Sequence, residues 1–127
     1  MKTLILLLLF VLAAGLSCSK GSAADEDKVL PVIIITSLAN GQIFTAGQSI
    51  PITGTITDDK FIAEAHIHVS NTNTGVLLMD VHIYPNASTA SFSQSITAVA
   101  GVNYKIQVIA KDRAVNEANT SVSVSCN

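Results

Sequence analysis

The stretch "NYKIQVIAKD", residues 103–112, sets Tyr104, Ile106, Val108 and Ala110 at every second position. A period of two returns the side chains of an extended chain to one face, so the segment reads as a β-strand with that face in a core. The pattern recurs along the chain. "TSVSVSC" (120–126) puts Val122, Val124 and Cys126 on one phase, "ASFSQSI" (90–96) does so with Phe92 and Ile96, and "SIPITGTIT" (49–57) with Ile50, Ile52 and Ile56. "PVIIITS" (31–37), "AEAHIHVS" (63–70) and "VLLMDVHIY" (76–84) complete seven strands. Turn-forming "ANGQ" (39–42), "NTNTG" (71–75) and "AVAGV" (98–102) interrupt them, and no segment after Pro31 has helical spacing. The expectation is all-β: a single seven-stranded Greek-key sandwich over residues 31–126. Roughly a hundred residues suffice for one core and leave little volume for a deep cleft.

The N-terminal part has a different character. Lys2 precedes "TLILLLLFVLAAGL" (3–16), an apolar run of signal-peptide length that is short for a bilayer span. It ends in "GLSCSK", which resembles the lipobox of bacterial lipoproteins. The resemblance implies a signal peptide over residues 1–17, cleavage after Ser17, and a lipidated Cys18 as the new N-terminus. Gly15 stands where such lipoboxes usually have Leu, and ordinary signal cleavage or an uncleaved anchor are the alternatives. Acyl chains on Cys18 would anchor the protein to a membrane without a transmembrane helix. Residues 18–30 then form a flexible linker, small, charged and aperiodic. Its Asp25-Glu26-Asp27 run resembles the acidic surface-export signals of some Gram-negative lipoproteins and equally suits a solvated spacer. The expected location is the bacterial cell envelope, as an outer-membrane lipoprotein that is periplasmic or surface-exposed.

The chain carries seven basic and nine acidic side chains, and losing Lys2 with the signal peptide leaves six basic ones. Such a mildly acidic protein has no basic patch with which to displace counterions from phosphates, so nucleic acid is not an expected partner. With Cys18 acylated, Cys126 has no cysteine to pair with and reads as a small buried hydrophobe.

"PVIIITSLANGQIFTAGQSIPITGTITDD" followed by "GVNYKIQVIAKDRAVNEANTSVSVS" resembles the bacterial immunoglobulin-like domains of envelope and surface proteins. The most specific part is the Tyr104-x-Ile-x-Val-x-Ala-x-Asp112 strand leading to Asn116. Members often carry Ala-Gly-Asn where this chain has Ala114-Val115-Asn116, and the absence of Trp and of a cysteine pair in the domain matches the disulfide-free bacterial variety. The resemblance implies an immunoglobulin-like sandwich used for adhesion, spacing or the binding of a protein or carbohydrate ligand. It does not imply catalysis.

Three places attract functional readings. In the hairpin of residues 63–84, burying Ala65, Ile67 and Val69 together with Leu77, Met79, Val81 and Ile83 sends the even positions outward. His66, His68, Asp80 and His82 then share one exposed face. With Thr72–Thr74 as the loop His66 lies opposite Asp80; with Asn73–Gly75 it faces His82, and His68 faces Asp80. Cross-strand neighbours about 5 Å apart allow imidazoles and a carboxylate to reach one Zn²⁺ or Cu²⁺ ion. A pH-responsive or plainly solvated histidine face is the competing reading. Second, Asp58 and Asp59 after one strand and Asp112, Asn116 and Glu117 after another would meet at one end of an immunoglobulin topology, with oxygen donors for Ca²⁺ or simply turn-opening residues. Third, "ANGQ", "NTNTG" and "AVAGV" form a polar tip at the far end from the tether. No nucleophile elbow, phosphate-cradling glycine loop or His-Glu-x-x-His helix is present, so no catalytic residues are expected. Asn86 and Asn119 stand in formal glycosylation sequons that a bacterial envelope protein would ignore.

Overall fold

Alternation along seven segments becomes seven strands in a computed structural model that describes residues 26–127. The signal peptide, Cys18 and most of the linker lie outside the described residues. The strands are β1 (Val32–Ile35), β2 (Gln42–Phe44), β3 (Ser49–Asn71), β4 (Leu77–Ile83), β5 (Ala87–Thr97), β6 (Asn103–Asp112) and β7 (Glu117–Cys126). Among these residues there is no helix.

β3 serves two layers. Its first part pairs antiparallel with β1 (Ile34 opposite Thr55) and with β5 (Thr55 opposite Ser91), giving the three-stranded layer β1-β3-β5. Its second part pairs with β4 and β6, β6 continues to β7, and β7 takes β2 in parallel, giving the layer β4-β3-β6-β7-β2. The inward faces of both layers make one core. Ile50, Ile52 and Ile56 from the first part of β3 and Ile67, Val69, Ile106 and Val108 from the larger layer are wholly removed from solvent. Each such side chain contributes about 1.5–3 kcal/mol of burial.

Two irregularities decide which side chains face outward. In the first part of β3 the even residues are buried, and Ile62 still follows that phase. The register against β6 then shifts, with Ile62 opposite Asp112 but Glu64 opposite Lys111, so one extra residue, Ala63, is accommodated. After this bulge the buried phase is odd, with Ala65, Ile67 and Val69, and the histidines are turned out. A second shift between Val69 and Ser70 sets Ser70 opposite Leu77. Leu77 therefore does not join Met79, Val81 and Ile83 against the core, contrary to simple parity, and stands 50% exposed.

The strand set differs from the sequence reading in two ways. The segments expected as a second and a third strand are one continuous β3, and Gln42–Phe44, expected within a turn region, is β2, with Phe44 buried. A further contact ties the sandwich together at β6. Tyr104 is 1% exposed, and its hydroxyl accepts the Val99 backbone N–H at 2.8 Å, fastening the β5–β6 connection to the core. A tyrosine at the start of this strand bonded a few residues upstream is the tyrosine corner of immunoglobulin-like sandwiches. Cys126 is buried beside Val122 and Val124, as its phase requires.

Candidate functional site

The histidine face is built by backbone pairing. β4 sets His82 opposite His66 and Asp80 opposite His68, the pairing expected for the Asn73–Gly75 loop. The turn that fixes it runs from Asn71 to Val76: Gly75 N–H donates to the Asn71 carbonyl at 2.7 Å, and Asn73 N–H to Asn71 Oδ1 at 2.9 Å. Gly75 has φ 76°, a conformation that favours glycine.

All four side chains converge. Nε2 of His68 lies 3.1 Å and Nε2 of His82 2.9 Å from the same oxygen, Asp80 Oδ1. The His66 ring stacks on His82 with centroids 3.9 Å apart and meets His68 edge-on at 5.7 Å. The side chains of His66 and His68 are about a quarter exposed, those of His82 and Asp80 about two-fifths. Sequence reasoning did not find the next ring of groups. Glu64 Oε2 lies 3.8 Å from His66 Nε2, and Glu64 Oε1 pairs with Lys111 Nζ at 3.3 Å. Lys111 also reaches Glu117 at 3.5 Å. The Glu64 carboxylate, by its hydrogen bond first and then its charge, holds the Lys111 ammonium above its ordinary pKa, with a smaller contribution from Glu117. The signal was there in the even phase: Glu64 precedes His66 by two, and Lys111 lies across from Glu64.

The acidic residues assemble differently from the set read from the sequence. Asp58 and Asp59 group with Asp27 of the linker, whose carboxylate is 3.9 Å from Lys60 Nζ. Asp58 Oδ2 accepts the backbone N–H groups of Lys60 and Phe61. Asp112, 2% exposed, spends both oxygens on Asn116: Oδ1 accepts its backbone N–H at 2.8 Å and Oδ2 its side-chain amide at 2.6 Å. Glu117 turns to Lys111. Asp112 and Asn116 thus act as a turn clasp, which also catches the incoming chain, because Asn116 Nδ2 donates to the Asp27 carbonyl at 2.8 Å. Beside it the Arg113 guanidinium sits 3.3 Å from the Phe61 ring centroid.

At the other end the three polar turns meet. Asn73 Nδ2 donates to the Gly101 carbonyl at 3.4 Å and Asn103 N–H to Asn73 Oδ1 at 3.2 Å, while Gly41 N–H donates to the Ser123 carbonyl at 2.7 Å. Gly41, Thr72, Asn103 and Ser123 line an open depression there, and Val76 and Val99, beside and within two of the turns, are exposed.

Two layers exchanging one strand, a tyrosine corner and polar loops gathered at the ends define an immunoglobulin-like β-sandwich. The fibronectin(III)-like modules of CbhA from Clostridium thermocellum share the fold at 23% identity and a TM-score of 0.55, over 78% of this chain and 47% of that one. This chain thus spans about half the length of that solved chain. A superoxide reductase (neelaredoxin) from Ignicoccus hospitalis is similar at 10% identity and a TM-score of 0.50, over 77% of this chain and 80% of the other, a likeness of fold alone. Among curated proteins no sequence matches the chain. A family model does: residues 31–124 match the bacterial Ig domain, and the chain belongs to that family.

Proposed function

We propose that the protein is a non-enzymatic lipoprotein of the bacterial cell envelope, in which lipid on Cys18 anchors the chain to the outer membrane and the sandwich is held out for binding, adhesion or spacing. The observation that carries this reading is the polarity of the domain. The chain enters where Asn116 holds Asp27 and Lys60 approaches it, at the end of β6 marked by Asp112. The three-turn tip lies at the other end of the same strand, where β6 begins at Asn103. Nine residue steps along β6 separate the two ends by about 30 Å. A linker ahead of Asp27 adds reach, so the tip is the part presented to a protein or carbohydrate ligand, with Val76 and Val99 exposed near its amide-rich turns.

No helix among the described residues is long and apolar enough to cross a membrane. The test is Cys18→Ser in a bacterial host fed labelled palmitate. The native chain should take up label and shift in size when the lipoprotein signal peptidase is inhibited, and the variant should do neither. A variant that still incorporates palmitate, or a native chain that never does, overturns the anchor.

A further inference from the structure

We propose that His66, His68, Asp80 and His82 form a binding site for one borderline divalent metal ion, Zn²⁺ or Cu²⁺, on the outer face of the five-stranded layer. One donor atom from each of the four lies within 4.8 Å of all the others. Two of the imidazole nitrogens already share one carboxylate oxygen, at 3.1 and 2.9 Å. Ligand atoms held about 2.0–2.2 Å from an ion in a tetrahedron stand about 3.3–3.6 Å apart. The ion therefore enters in place of these two contacts, opening the cluster by a few tenths of an ångström on that side.

The arrangement is hard to explain as a solvated face alone. Three imidazole rings are gathered in stacked and edge-on contact around one carboxylate oxygen. Each of the four side chains is also held by its backbone. His66 and His68 lie on β3, hydrogen-bonded to β4 on one side and β6 on the other, and Asp80 and His82 lie on β4 in register with them. Behind the cluster, Glu64 faces His66 at 3.8 Å and is itself tied to Lys111. At that distance Glu64 places a negative charge beside the cluster without a hydrogen bond to the ring. Three nitrogens and one oxygen suit Zn²⁺ and Cu²⁺ and are a poor set for Ca²⁺ or Mg²⁺, which require oxygen. Because the side chains remain a quarter to two-fifths exposed, a bound ion keeps access to water. The site does not depend on Cys18 or on the tip, so it stands or falls separately from the anchor.

The experiment is calorimetric titration of the full chain, purified in detergent and stripped with chelator, with zinc chloride and with copper(II) chloride. One ion per chain should bind with a Kd below about 1 µM, and the copper form should show nitrogen hyperfine splitting from more than one imidazole in its electron paramagnetic resonance spectrum. His68→Gln and His82→Gln, on the solvent face, should each weaken binding by about tenfold or more. Asp80→Asn, which keeps the shape of the side chain, should also weaken it and guards against a loss caused by misfolding. No saturable heat with either metal overturns the proposal. So does an affinity unchanged in a His68→Gln/His82→Gln double variant, because the binding would then lie elsewhere.

Discussion

Val115 occupies the one position in the β6–β7 connection where a β-branched side chain is least at ease. Its φ is 69°, and the turn around it closes with Val115 N–H donating to the Asp112 carbonyl and Asp112 N–H to the Asn116 carbonyl. This is a three-residue hairpin loop whose last residue is left-handed, a place usually filled by glycine. Val115→Gly should therefore stabilise the domain. Holding a β-branched residue in that conformation costs about 2 kcal/mol. The side chain is 71% exposed, so its removal forfeits only about 0.5 kcal/mol of burial. Glycine's greater freedom in the unfolded chain costs about 0.7 kcal/mol more. The net gain is about 1 kcal/mol, which for a domain of this size raises Tm by about 4–8 °C. Thermal and urea unfolding followed by circular dichroism would measure it. Gly101 provides the reverse control: its φ is 77° and an added Cβ would meet nothing within 4 Å, so Gly101→Ala should lower stability through the backbone alone, by about 1 kcal/mol. A Val115→Gly midpoint equal to or below the native one, at unchanged m-value, would refute the argument from strain.

Two other substitutions probe the core. At Gly54 an added Cβ would overlap the Ile34 carbonyl oxygen and the Phe92 ring, both fixed by strand pairing, so Gly54→Ala should cost about 3 kcal/mol in urea unfolding; a cost under about 1 kcal/mol would mean that β1 moves freely. Tyr104→Phe deletes the oxygen that accepts the Val99 N–H and should cost about 1–2 kcal/mol, with faster amide exchange at Val99 as its local signature.

The sandwich was legible because burial on one face of a strand writes a two-residue period into the sequence, and in β6 that period runs without a fault from Tyr104 to Ala110. What escaped was set by backbone pairing instead of side-chain pattern. β2 is three residues long, too short to show a period, and exists because its backbone pairs in parallel with β7 at Val124–Cys126. The continuity of β3 through Asp58–Phe61 was hidden by Asp58 and Asp59, which look like turn openers; Asp58 does bond its neighbours' N–H groups, yet the strand is not broken. The grouping of the histidines followed from parity and held for either loop register. The acidic group did not follow, since Asp27 comes from a linker without periodicity and Asp112 is consumed by Asn116. Tyr104 was read as a core residue, and only the position of its hydroxyl reveals the second task.

The extra residue at Ala63 makes the chemistry of an entire face a matter of counting. Exchange of one side chain for another along residues 64–70 alters the face one position at a time, and loss of Ala63 would restore plain alternation with the same faces, but a single residue inserted between Glu64 and Ala65 would put Ile67 and Val69 in water and carry His66 and His68 inward against the opposite layer. The domain should therefore accept many substitutions on this strand, and loss of Ala63 itself, while rejecting single-residue insertions just beyond the bulge. Among related sequences, a one-residue gain just beyond the bulge would mark members whose outer face has been given to a different use.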